Sequence, residues 1–60
     1  MPDNARVIEM HLYEMLQETG QAGTVRWDAV MGFCIGYYGE ITMDHIVAIR
    51  ELERTGVINT

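Results

Sequence analysis

The chain has 60 residues, which allows one small domain near the lower limit for folding without disulfides or metals. Nine acids outnumber four arginines, lysine is absent, and the formal net charge is −5. This balance repels nucleic-acid phosphates at long range and favours partner proteins with basic surfaces. The hydrophobic fraction of 48% is too high for a disordered chain. Because so short a chain cannot bury that much apolar surface comfortably, we also expect a homodimer.

Cys34 is the only cysteine, so an intramolecular disulfide and a thiolate metal cluster are both excluded. The N-terminal segment MPDNARVIEM has an acid before its first basic residue and no uninterrupted apolar core, unlike a signal peptide. The longest apolar run, around Met31 to Tyr38, is far shorter than the roughly twenty residues that a membrane span needs. The sequence therefore predicts a soluble cytoplasmic protein without membrane association.

The first predicted helix runs from Asn4 to Thr19. Asp3 or Asn4 can cap its N terminus, and Gly20 is expected to end it in a left-handed conformation. Residues at three- and four-residue spacings predict the face that packs on the core: Ala5, Ile8, Leu12, Met15, Leu16 and Thr19. Three further apolar residues lie off this face and are expected at the surface: Val7, Met10 and Tyr13.

The second predicted helix spans Asp28 to Tyr38 and ends at Gly39. Bulky residues form one side of it: Trp27, Val30, Cys34 and Tyr37. Each internal glycine on the other side costs about 1 kcal/mol relative to alanine, so close approach of another helix is predicted. The helix is then either the centre of a small bundle, packed on both sides, or a dimer seam. The packing or dimer residues would be Ala29, Gly32, Gly36 and Tyr38.

The third predicted helix begins at Thr42, a good N-cap, with Asp44 in its first turn and Gly56 as its C-cap. Its core stripe is expected to contain Ile46, Ile49 and Leu52. A second stripe at four- and three-residue spacings lies opposite Ile49 and contains Met43, Val47, Arg50 and Arg54.

Arginine beside exposed apolar residues is the composition enriched at the centres of protein interfaces. The sequence therefore predicts a partner-binding surface on the third helix: Met43, Val47, Arg50, Glu51 and Arg54. In the alternative interpretation these arginines only pair with nearby acids, Glu51, Glu53 or Glu40.

No residue pattern in the sequence indicates a catalytic, metal or cofactor site. His11 and Glu14 lie three residues apart, but a metal site needs three or four converging ligands. The chain has no serine, no phosphate-binding glycine loop and no His/Cys pair with an orienting group. Cys34 is expected to be a small buried hydrophobe. We therefore expect no enzyme activity, no metal and no cofactor.

Ile41-Thr42 opens the third helix, Ile49 and Leu52 lie in its core, and the chain leaves it through LERTGVI, residues 52–58. In these features the segment 24–58 resembles winged helix-turn-helix proteins. The resemblance implies an all-α, three-helix core in which a very short strand, Thr24-Val25-Arg26, pairs with Val57-Ile58-Asn59. It also implies the alternative function, a dimeric DNA-binding transcription regulator whose third helix enters the major groove. DNA binding is disfavoured by the charge balance.

A short, acidic chain with one domain, residues 1–60, resembles in type the small accessory proteins of bacteriophages, of which anti-CRISPR proteins are an example. This resemblance implies an inhibitor or modulator of a host nucleic-acid-handling complex, acting in the host cytoplasm without catalysis. Its acidic side chains would engage basic grooves meant for nucleic acid: Glu9, Glu14, Glu18, Glu51 and Glu53.

Overall fold

The computed structural model describes residues 2–60, which contain three helices and two very short strands. In chain order these are α1 Asp3–Glu18, β1 Val25–Arg26, α2 Trp27–Tyr38, α3 Met43–Arg54 and β2 Ile58–Asn59. The domain measures 24 × 22 × 20 Å. The predicted all-α, three-helix fold with a minimal strand pairing is confirmed, and the predicted bounds of α1 and α2 agree to within one residue.

The ends of α1 and α3 share a sequence and a geometry, LQETG in one and LERTG in the other. After each threonine the glycine takes a positive φ, and the next N–H reaches back to the leucine carbonyl. Gln21 donates to Leu16 O at 2.8 Å, and Val57 donates to Leu52 O at 2.9 Å. This is the Schellman motif, in which glycine avoids the steric cost of the left-handed region. The predicted left-handed glycines are confirmed: Gly20 at φ +72° and Gly56 at φ +87°.

The start of α1 differs from the prediction. Pro2 precedes the helix and its carbonyl accepts the Arg6 N–H at 3.0 Å, while no side chain caps the N terminus. The expectation that Asp3 or Asn4 caps α1 is therefore wrong, because the helix begins one residue earlier than predicted. Asp3 instead lies in the first turn, where a carboxylate interacts favourably with the helix dipole.

Thr42 caps α3 as predicted, and its partner in the capping box is His45. The backbone N–H of Thr42 donates to Nδ1 of His45 at 3.1 Å, and the Thr42 hydroxyl lies 2.8 Å from the same nitrogen. Glu or Gln usually occupies this position of the motif. Because a backbone N–H can only donate, Nδ1 carries no proton and the ring proton lies on Nε2. His45 is only 5% exposed, and its Nε2 finds no hydrogen-bond partner within residues 2–60.

The core lies mainly between α1 and α3, with α2 and the strands closing it. Its buried residues come from every element: Leu12, Leu16, Val25, Val30, Cys34, Ile49, Leu52 and Ile58. One expectation for α3 needs correction, because Ile46 is only half-buried while His45 and Ala48 are buried. The core stripe of α3 is therefore rotated toward His45.

The predicted strand pairing is confirmed. β1 and β2 are parallel, with Val25 opposite Ile58 and Arg26 opposite Asn59. Two further bonds extend the connection, from Gly23 N–H to Val57 O at 2.7 Å and from Asn59 Nδ2 to Gly23 O at 3.1 Å. So short a ladder is not stable alone, and these bonds help to hold the exit of α3 against the loop that leads into α2.

Candidate protein-binding surface

The predicted outward stripe of α3 is largely at the surface. Met43 is 74% exposed, and Arg50 and Arg54 are exposed as well. Val47 is half-buried, so it is less accessible than the spacing alone suggested. We call Met43, Val47, Arg50, Glu51 and Arg54 the α3 surface.

Two of the charged residues of the α3 surface, Arg54 and Glu51, form an ion pair. The guanidinium of Arg54 contacts the Glu51 carboxylate through both Nε and Nη2. This hydrogen bond lowers the pKa of Glu51 and raises that of Arg54. Arg50 forms no ion pair within residues 2–60. The alternative in which neighbouring acids pair with the arginines therefore applies to Arg54 and not to Arg50.

Four residues of the α3 surface line the same depression. Val47, Arg50, Glu51 and Arg54 line a shallow open depression of about 510 Å³, together with Glu53. Its lining carries charges of both signs, and none of its lining residues is fully buried. Such a depression can contact another protein, but it is unlike the enclosed, mostly apolar pockets that bind small molecules.

The small side of α2 is open. An ideal Cβ placed on Gly32 or on Gly36 would meet no heavy atom within 4 Å, and Ala29 is exposed. The expectation that α2 is packed on both sides, with another helix of the domain against these small residues, is therefore wrong. Tyr38 does not share this face, because its half-buried ring makes an edge contact with His45, with centroids 4.5 Å apart.

The bulky side of α2 is only partly buried. Val30 and Cys34 are fully buried and Trp27 is half-buried, but Tyr37 is 71% exposed. Tyr37, which the spacing places on the same bulky side, is therefore at the surface, although Tyr38 next to it packs against the core. Cys34 is confirmed as a small buried hydrophobe, and burial raises the pKa of its thiol. Burial, with a smaller contribution from Cys34, also raises the pKa of Tyr38.

The surface of α1 combines apolar and acidic side chains. Val7, Met10 and Tyr13 are exposed, as predicted, and the Gln17 amide donates to the Tyr13 hydroxyl at 2.8 Å. The concave surfaces on both sides of α1 were not foreseen. Their walls come from α1 together with α2 or α3, so only the packing of the helices reveals them.

Within residues 2–60, no three His, Cys, Asp or Glu side chains are grouped so that they could hold a metal ion. None of the helices in this part of the chain is long and apolar enough to cross a bilayer. Comparisons with protein-family models, with curated proteins and with solved structures found no match for this chain.

Proposed function

We propose that this chain is a non-enzymatic protein-interaction module whose partner presents a basic surface. The observation that carries the proposal is the excess of acids, nine against four arginines. Within residues 2–60 only Glu51 forms an ion pair. The other carboxylates in this part of the chain have no ion-pair partner, so they can interact with lysine and arginine side chains of a partner, which would accelerate encounter and select the partner by charge.

Complexes that handle nucleic acids are the partners that such a chain suits best. Their binding grooves are basic because they must neutralise phosphates. In its shortness and acidity the chain is similar to phage accessory proteins such as anti-CRISPR proteins. We therefore propose an inhibitor or modulator that occupies the basic groove of a host complex in the host cytoplasm.

The α3 surface is the proposed centre of the contact. Met43 offers exposed apolar area, Val47 adds a half-buried neighbour, and Arg50 has no ion-pair partner within residues 2–60. Exposed arginine and methionine are enriched in the cores of protein interfaces. Glu51 and Arg54, already paired, would lie at the rim and contribute less.

The test is affinity capture from the lysate of the host cell, with two charge-reversed variants beside the wild type. The pair Met43→Glu and Arg50→Glu changes exposed residues of the α3 surface. The matched control, Met10→Glu and Arg6→Glu, makes the same chemical changes at exposed positions of α1. We expect the α3 variant to weaken partner binding about tenfold or more and the control to change it less than about threefold.

A supporting result also requires that the captured protein binds nucleic acid and loses that binding when the chain is added. Equal weakening by both variants would remove the α3 surface from the proposal. Capture of partners without basic surfaces would contradict the proposed partner class itself.

The alternative is a dimeric helix-turn-helix transcription regulator. Arg50 favours it, since this exposed residue lies on the outer side of the third helix. Binding to duplex DNA at about 0.15 M salt, followed by fluorescence polarisation, decides between the two functions. We expect no saturation at micromolar protein, and saturation there would promote the regulator.

We propose a homodimer under both proposed functions. The open side of α2 with Ala29, Gly32 and Gly36, or the pair Met43 and Val47, would form its seam. Sedimentation equilibrium should then give a mass that rises from monomer to dimer with concentration. A constant monomer mass would exclude the dimer.

A further inference from the structure

A groove lies between α1 and the C-terminal end of α2. One wall is formed by His11, Glu14, Met15 and Glu18, and the other by Tyr37 and Tyr38. Its volume of about 290 Å³ lies just below the range of about 300–1,000 Å³ that is typical of ligand pockets. We call it the α1–α2 groove. Its size suits one inserted side chain of a partner better than a cofactor.

The charge of the groove is negative and uncompensated. Glu14 and Glu18 are exposed and lie one helical turn apart on α1. Neither forms an ion pair within residues 2–60, and no arginine lines the groove. A guest that enters it therefore gains most by carrying a positive charge, while an anionic guest is repelled.

The opposite wall is aromatic. Tyr37 is 71% exposed, and Tyr38 is held by its edge contact with the buried ring of His45. Aromatic rings attract cations placed over their faces, and Met15 supplies apolar contact at the base of the acidic wall. The groove thus offers carboxylates for a cationic head and apolar surface for the stem that bears it.

We propose that the α1–α2 groove binds an arginine side chain of the basic protein partner, an assignment that rests on the proposed function. Arginine suits both walls, since its planar guanidinium stacks on aromatic rings and forms paired hydrogen bonds with carboxylates. Lysine is also attracted to the acids and the rings, but it lacks the planar group that stacks on rings and forms paired hydrogen bonds. The groove would then select arginine-rich segments among basic surfaces.

The test is a titration of the isotope-labelled full chain with a short oligo-arginine peptide, followed by amide NMR shifts. A citrulline peptide of equal length has the same shape without the charge. The groove variant, Glu14→Gln with Glu18→Gln, removes two charges from one wall. Its matched control, Asp3→Asn with Glu40→Gln, removes two charges from exposed positions outside the groove.

We expect shifts centred on Tyr37, Glu14 and Glu18 with the arginine peptide and none with the citrulline peptide. The groove variant and Tyr37→Ala should each weaken the affinity about three- to tenfold, and the control less than about twofold. Equal weakening by groove and control variants, or shifts centred elsewhere, would overturn the groove and leave the basic-partner proposal standing. Absence of peptide binding would also overturn the groove, whereas the capture experiment on the α3 surface tests the proposed function independently.

Discussion

The open face of α2 allows us to predict how a substitution at Gly32 changes the stability of the fold. This glycine lies inside α2, and an added Cβ would meet no heavy atom within 4 Å. Alanine there gains helix propensity without a clash, so Gly32→Ala should stabilise the fold by about 0.8–1 kcal/mol. In a domain of this size about 1 kcal/mol corresponds to a rise in Tm of roughly 4–8 °C. Gly36→Ala should follow in the same direction with a smaller gain, because it lies in the last turn of the helix.

Gly39 provides the matched control. It ends α2 at φ +78° and its N–H donates to Ile35 O at 2.9 Å. A Cβ in this left-handed conformation costs about 1–2 kcal/mol even though the space around it is open. Gly39→Ala should therefore lower the Tm while Gly32→Ala raises it, although both replace an exposed glycine, one directly after α2 and one inside it.

Thermal unfolding followed by circular dichroism measures both variants, at several protein concentrations. A Tm that falls or stays constant for Gly32→Ala would refute the argument from open space. If that loss also grew with protein concentration, a second copy would be packed on the small side of α2, because association stabilises the folded state by mass action. A gain at every concentration would exclude this face as the dimer seam.

Three further predictions concern single side chains. Because burial raises the pKa of Cys34, the thiol of the folded protein should resist alkylation, and rapid alkylation of the folded protein would contradict this. For the same reason the free energy of unfolding should fall as pH rises through the ordinary thiol range near about 8.5. The carboxyl resonance of Glu51 should titrate below the usual glutamate range, and Arg54→Gln should return it there, because the Arg54 hydrogen bond lowers the Glu51 pKa. The small stabilisation from this exposed pair is then present at neutral pH and lost as pH falls through the lowered pKa, so an unchanged titration in Arg54→Gln would refute the pairing. Long-range proton–nitrogen NMR should find the His45 ring proton on Nε2, and a proton on Nδ1 would exclude the bond from Thr42 N–H.

The C-terminal ends of α1 and α3 and the start of α3 could be predicted because local chemistry decides them. Gly20 and Gly56 follow the last periodic residues of α1 and α3, and a left-handed glycine is the usual way to end a helix there. Thr42 is a strong N-cap, and it starts α3 where the sequence predicts. Each of these features depends on a few neighbouring residues, so an isolated sequence contains the information.

The orientation of α2 could not be predicted in the same way. Its sequence WDAVMGFCIGYY is apolar nearly all round, so no periodic contrast distinguishes the buried side from the exposed one. Spacing places Tyr37 on the same side as Cys34, yet Cys34 is fully buried and Tyr37 is exposed. The α1–α2 groove has the same origin, because its two walls come from helices whose relative placement depends on tertiary packing.

The charges on α3 disfavour DNA binding by this helix more strongly than the net charge of the chain does. Asp44, Glu51 and Glu53 on this helix outnumber Arg50 and Arg54. Arg54 is already engaged by Glu51, so Arg50 is the arginine of α3 without an ion pair inside residues 2–60. DNA affinity depends on the number of phosphates neutralised, and one free cation flanked by carboxylates releases few counterions. On the basic partner surface that we propose, the acids of α3 would instead be attractive, and Arg50 and Met43 would supply specific contacts.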